Sequence, residues 1–341
     1  MALSPELFKR LSRLNRQMVS DQLTTGDRVG AAAAQPANAE EEAGPRSLEE
    51  LIPGQERQAW GGRLYVVQRN VVDLYPAAGR TRAPEQHPPR PGAEAGARPG
   101  LHSSPAAGTG ENDEEDGEGG GADLVARYRR VLFGSRRAVA TDDLHEAIRP
   151  LAACDPAGLA YLDIETCGLA GEPLFLVGLM WWTQGNLVVE QLLARDYSEE
   201  RPVLAATWET LGRIGCLVTF NGKAFDVPAI EARSLASGLF DRHEVPQHVD
   251  LLAEARRRWK RVLPNCRLQT IGQLVCGRHR GGDIPGSDIP AAYHEFVRSR
   301  QADDPVRRIR SLRRIQTILH HNALDLVTMA ELVTHILGGH G

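Results

Sequence analysis

Residues 161–169 read YLDIETCGL, and this short run decides the architecture of the chain. Its apolar positions and β-branched residues give a strand, and Gly168 ends it in a tight turn. Alternate side chains of a strand share a face, so Asp163 and Glu165 point together while Leu162 and Ile164 point away. Two acids on one face of a buried run require a cation or solvent beside them. Outward from this stretch, Leu159–Thr166, Leu174–Trp182 and Leu187–Ala194 are three closely spaced strand candidates joined by short loops, which predicts a meander. A helix over Ser198–Ile214, a short buried strand over Leu217–Phe220 and a helix over Val227–Leu239 follow, then an extended piece at Val245–Val249, a helix over Leu251–Arg261 and further helices. The expected fold class is α/β: a mixed sheet of three antiparallel strands, then alternating helix and strand, covered by helices.

Two further acids sit in local sequences that would bring them to the same pocket. Asp226 lies in LVTFNGKAFDVP (217–228), where a strand turns sharply at Asn221–Gly222 into a helix start. Taken alone, Asp226 reads as a helix cap with Pro228 in the first turn. The preceding turn favours a functional reading, because strand ends of α/β sheets gather such groups, and Lys223 with its neighbouring amides could hold a phosphate. Asp325 lies in HHNALDLVTMAEL (320–332), read as the opening of a helix with Asn322 and Asp325 at capping-box spacing. His321, four residues earlier, would share a helical face with Asp325. Two carboxylates ~5 Å apart at an effective dielectric of ~20 repel by roughly 3 kcal/mol. Four converging acids therefore call for divalent counter-ions, and hard oxygen ligands suit Mg²⁺ or Mn²⁺.

DIETCGL, FNGKAFD and HHNALD, in this order, resemble the motifs of DEDD nucleases of the ribonuclease-H-like fold. The resemblance is closest to the YprB-like family of exonucleases, carried further by HVDLL (248–252), LPNCRLQTIGQLVCG (263–277) and DIPGSDIPAAY (283–293). It implies that Asp163, Glu165, Asp226 and Asp325 hold two Mg²⁺ or Mn²⁺ ions, with Asp163 shared between them. It implies a histidine base, either His321, which helical geometry favours, or His320 if that residue lies in a loop before the helix. It further implies 3′→5′ exonuclease activity on RNA or DNA, single-stranded or with a free 3′ end. Cys167 stands where such nucleases often carry Thr.

Two basic runs could grip a phosphate backbone. One is RRRWK (256–260) with Arg261; in the other, Arg307, Arg310 and Arg314 lie opposite the apolar positions Ile309, Leu312, Ile315 and Leu319. As phosphate contacts they would make binding weaken steeply with salt. Net charge supports no stronger claim. The chain carries −4 overall, divided as −6 before Leu124 and +2 from there onward, so basic residues act through clustering. A ribonuclease-H-like endonuclease or resolvase, and a catalytically weak nucleic-acid-binding protein, are the alternatives that the same acids allow.

The 341 residues divide into an amphipathic helix over 1–22, a spacer over 23–46, a small accessory α/β segment over 47–76, a linker over 77–123 and a nuclease domain over 124–341. Within the accessory segment Leu64–Val67 and Val71–Tyr75 read as a strand pair, too small to stand alone. The linker is Gly-, Pro- and acid-rich, including ENDEEDGEGGG (111–121), and offers too little apolar surface to offset ordering entropy. Five widely spaced cysteines fit neither a zinc ribbon nor a complete disulfide framework, and they indicate a reduced, cytoplasmic compartment. No apolar run reaches the ~20 residues of a membrane span, so no membrane is expected.

Overall fold

The computed structural model describes residues 47–74, 120–134, 144–168, 171–240, 247–278, 280, 282–300 and 304–338. The expected N-terminal helix and spacer, and almost all of the expected linker, lie outside these residues.

One seven-stranded sheet organises the chain, in the order β1-β2-β5-β4-β3-β6-β7. The strands are β1 (Gln55–Ala59), β2 (Gly62–Asn70), β3 (Leu159–Thr166), β4 (Leu174–Thr183), β5 (Asn186–Leu193), β6 (Cys216–Thr219) and β7 (His248–Asp250). The first five are linked by antiparallel pairings, whereas β3, β6 and β7 run parallel. This is the mixed sheet that the strand spacing predicts. Two hairpins close through two-residue turns at Trp60–Gly61 and Gln184–Gly185, where all four residues have positive φ. Such turns match the right-handed twist of the flanking strands, and glycine takes the second position without strain.

Helices α1 (Leu48–Leu51), α2 (Val71–Leu74), α3 (Gly121–Phe133) and α4 (Arg149–Ala153) precede β3, and α5 (Glu200–Leu211) and α6 (Asp226–Ala236) make the crossovers to β6 and β7. Helices α7 (Leu251–Trp259), α8 (Leu268–Leu274), α9 (Ile289–Ser299) and α10 (Pro305–Leu337) complete the body. The alternation along β3 sorts its side chains into two cores. Leu162 and Ile164 pack with Val203 and Trp208 of α5 and Tyr293 and Phe296 of α9. Leu159 and Tyr161 pack with Leu124 and Tyr128 of α3 and with Leu326, Val327 and Leu332 of α10. Asp163 and Glu165 continue this second face, which lies beneath α10.

Three expectations are corrected. Of the strand expected over Val71–Tyr75, the described part Val71–Leu74 is instead the short helix α2, and the partner of β2 in its hairpin is Gln55–Ala59. Gln and Arg at β1 hid its alternation. No helix begins near Asn322, because α10 runs unbroken through 33 residues, about 50 Å at 1.5 Å per residue. Helix α3 begins at Gly121, inside the last residues of the expected linker.

The 47–74 segment is fastened to the sheet. Strand β2 pairs with β5 from Tyr65↔Leu193 to Asn70↔Val188. The buried Arg195 guanidinium reaches Glu56 of β1 at 2.5 Å and Glu199 at 2.6 Å. Among the described residues no helix is long and apolar enough to cross a membrane, and all five cysteines are free thiols.

Candidate active site

The C-terminal ends of β3 and β6 lie side by side because those strands are parallel, and open α/β sheets bind ligands at such ends. Asp163 sits opposite Gly178 of β4, and Gly178 sits opposite Gln191 of β5. Asn322 of α10 descends over this row. Its amide donates to Asp163 Oδ2 at 2.8 Å and accepts from Gln191 Nε2 at 2.8 Å. Only glycine fits beneath it: a Cβ on residue 178 would lie 2.0 Å from Asn322 Oδ1. A glycine inside a central strand marks close approach of another group, and that signal was present in LFLVGLMWW (174–182). Asn322 is fully buried as this bridge and does not cap a helix. Gly178→Ala is expected to push Asn322 off Asp163, cost about 1–3 kcal/mol as overpacking does, and impair any activity that uses Asp163. Chemical denaturation, together with the activity assay proposed below, measures both.

The register slips between Glu165 and Thr166, a bulge of the kind found beside active sites. Asp226, the first residue of α6, is almost fully buried. Asn221 adopts φ +71°, giving the sharp turn that brings α6 back. Asp250, which sequence reading passed over within HVDLL, holds that turn. Its carboxylate accepts the N–H groups of Asn221 at 2.8 Å, Lys223 at 3.2 Å and Leu252 at 3.0 Å. This corrects the phosphate-cradle expectation, since the Asn221 and Lys223 amides already have an acceptor. The Lys223 side chain is exposed.

From the overlying helix, His321 and Asp325 face the acids, one turn apart, with Nε2 of the ring 3.5 Å from Asp325 Oδ2. The i, i+4 relation holds because it needs only a helix, not a helix start. His320 lies in the helix as well, about 100° round from His321, so the loop that would have made it the base does not exist. Two residues that sequence reading did not select complete the arrangement. Arg280 ion-pairs with Asp325, and Asp283 accepts from His321 Nδ1 at 2.7 Å. No local pattern marks them, because both reach the site from the loop between α8 and α9.

Arg280 and His321 offset only part of the negative charge at this point. Burial, then the charges of Asp325, Glu165 and Asp226, raise the Asp163 carboxyl well above its usual range. Burial raises Glu165 to about 8, with His321 opposing and Asp325 and Asp226 adding to the rise. Burial likewise raises Asp226 to about 7 against the hydrogen bonds it accepts. His321 behaves oppositely: burial would lower its pKa, but the hydrogen bond to Asp283 and the charges of Asp325 and Glu165 outweigh this and raise it. Among the described residues no three such side chains already close on one point as a ready-made metal shell. By donor chemistry they nevertheless fit a divalent cation: hard carboxylate oxygens, mutually repelling, with one cationic side chain, Arg280, drawn onto Asp325.

The basic residues of α10 lead away from this centre. At ~1.5 Å per residue, Arg314 and Arg310 lie about 10 and 16 Å upstream of His321, within about 20° of it round the axis. Both are exposed. Arg307 is also exposed but engages Glu295 at 2.6 Å, which ties it to α9. In the other run Arg257 and Arg258 pair with the buried Glu254. Cys167 packs in the core, its thiol pushed up to about 12 by burial.

Comparison with known proteins gives three findings. The sequence pattern of the RNase_H superfamily matches residues 160–337. The uncharacterized protein YprB of Bacillus subtilis (strain 168) is 31% identical over 184 residues, which cover 52% of this chain and 41% of YprB. The chain thus spans less than half of that relative. A structure of the family B DNA polymerase from the hyperthermophilic archaeon Pyrobaculum calidifontis is similar over 51% of this chain and 24% of the polymerase chain, with 15% identity and a TM-score of 0.39.

Proposed function

We propose, from the premise that this chain belongs to the RNase H superfamily, that it is a divalent-metal-dependent nuclease of the 3′→5′ exonuclease kind. What supports the reading is that Asp163, Glu165 and Asp226 all feel the charge of Asp325 and are all held above their ordinary pKa, with His321 one turn from Asp325 on the overlying helix. Those four residues would hold two Mg²⁺ or Mn²⁺ ions. Such ions, when bound, polarise a phosphodiester and make water acidic enough to attack it near neutral pH.

The remaining work belongs to the chain's own side chains. Asn322 fixes the Asp163 carboxylate, with Gln191 behind it. His321 Nε2 accepts a proton from the attacking water, a role suited to imidazole near neutral pH. The exposed Arg310 and Arg314 would meet a polyanion approaching along α10, and the exposed Lys223 side chain would add a further phosphate contact. The 3′→5′ polarity rests on the resemblance of DIETCGL, FNGKAFD and HHNALD to DEDD nucleases. The same reading assigns catalysis to residues 124–341, treats 47–76 as accessory and expects a cytoplasmic protein.

Linear and circular single strands of RNA and DNA, incubated with the full chain and Mg²⁺ or Mn²⁺, test it. The expected result is stepwise shortening of 5′-labelled linear strands from the 3′ end with circles intact. Cleavage of circles would make the protein an endonuclease or resolvase, and binding without hydrolysis would leave it a nucleic-acid-binding protein.

A further inference from the structure

The segment DIPGSDIPAAY (283–293) takes no part in the chemistry assigned so far, yet its first residue lies against the proposed base. Four side chains close a ring there. Arg280 Nη1 meets Asp283 Oδ2 at 3.0 Å, and Asp283 Oδ1 meets His321 Nδ1 at 2.7 Å. His321 Nε2 faces Asp325 Oδ2 at 3.5 Å, and Arg280 Nη2 closes the ring on Asp325 Oδ1. Side-chain exposure is only 11% for Arg280, 9% for Asp283, 6% for His321 and 13% for Asp325, so the ring is largely shielded from solvent. Positive and negative groups alternate round the ring. Asp283 has little freedom within it, because Oδ1 also accepts the N–H of Ile284 at 2.9 Å while Arg280 holds Oδ2.

A neutral imidazole carries one ring proton. At 2.7 Å from the Asp283 carboxylate, a lone pair on Nδ1 would face negative charge and forfeit a hydrogen bond, whereas an N–H there makes a charge-assisted one. The other nitrogen then keeps its lone pair, on the side of the acids. We propose that Asp283 is a positioning residue: by accepting the Nδ1–H of His321 it fixes the ring's orientation and tautomer, so that Nε2 presents its lone pair beside Asp325. This rests on His321 as the proton acceptor of the proposed nuclease. Arg280 anchors Asp283 from behind, as outer-shell groups do for catalytic imidazoles.

The test labels the full chain with ¹⁵N-histidine and reads the ring nitrogens of His321, assigned by difference with His321→Gln, in metal-free protein at a pH where the ring is neutral. The wild type is expected to show Nδ1–H. Asp283→Asn, which keeps an accepting oxygen, is expected to retain it, and Asp283→Ala to lose it for a mixture or for Nε2–H. In steady-state cleavage Asp283→Ala should lower kcat about 10–100-fold, as loss of outer-shell partners does, with KM nearly unchanged and partial rescue in Asp283→Asn. An Nε2–H ring in the wild type overturns the proposal even if the alanine variant does not fold. An unchanged tautomer or unchanged kcat in folded Asp283→Ala also overturns it. If the wild type cleaves nothing under Mg²⁺ or Mn²⁺, the nuclease reading fails by itself, separately from the spectrum.

Discussion

Asp163→Asn is expected to lower metal-dependent cleavage by about three orders of magnitude while leaving the melting temperature unchanged or higher. Loss of a ligand that sets transition-state charge stabilisation forfeits several kcal/mol, and each ~1.4 kcal/mol is tenfold in rate. The fold should tolerate the change because asparagine has the same shape and its amide oxygen can still accept from Asn322. Stability should benefit, since in the metal-free protein Asp163 is a buried acid repelled by Asp325, Glu165 and Asp226. Single-turnover rates on RNA and DNA, beside a thermal melt, measure the two halves separately. A wild-type rate in this variant would remove Asp163 from the chemistry, and with it the reading of the whole acidic cluster.

The acidic cluster is expected to lower the stability of the metal-free protein as pH rises from about 4 to 8, outweighing the opposite contribution of His248, whose pKa burial lowers to about 4. Added Mg²⁺ or Mn²⁺ is expected to restore it increasingly over the same range. The sign follows from linkage. Glu165, at about 8 against 4.5, and Asp226, at about 7 against 3.8, hold protons in the folded chain that the unfolded chain has released. Stability decreases with pH wherever the folded state binds more protons. The loss begins as the unfolded carboxyls ionise and ends once pH passes the folded values. A cation needs those groups ionised, so its affinity runs the other way. At ~100 times its dissociation constant a ligand adds about 2.7 kcal/mol, or roughly 5–10 °C for a domain of this size. Calorimetry at pH 5 and pH 8, with and without each ion, checks this. No ion-dependent shift at pH 8, or a metal-free stability that rises with pH, would contradict it.

Strands β3 to β6 were legible because their signals are local. The run YLDIETCGL carries its alternation, its turn and its two acids within nine residues, and the observed strand Leu159–Thr166 has the predicted bounds. The His321–Asp325 relation was readable for the same reason. What stayed hidden depends on contacts between distant segments. Asn322, with an acid three residues on, has the pattern of a helix start, and nothing local reveals that Asp163 and Gln191 wait beneath it. Arg280 and Asp283 lie in a loop whose reach is set by the packing of α8 and α9. The expectation that divalent ions would offset the acids therefore missed a protein cation, since Arg280 supplies one to Asp325.

The matched interval begins at Ala160, whereas the sheet begins about a hundred residues earlier with β1 and β2. A fragment cut at the family boundary would leave the β5 side of the sheet open, baring Val188, Val189, Leu192 and Leu193 together with their unpaired peptide groups. Open apolar borders of that kind recruit other chains. Insolubility of such a fragment would reflect a missing neighbour, not a defective fold.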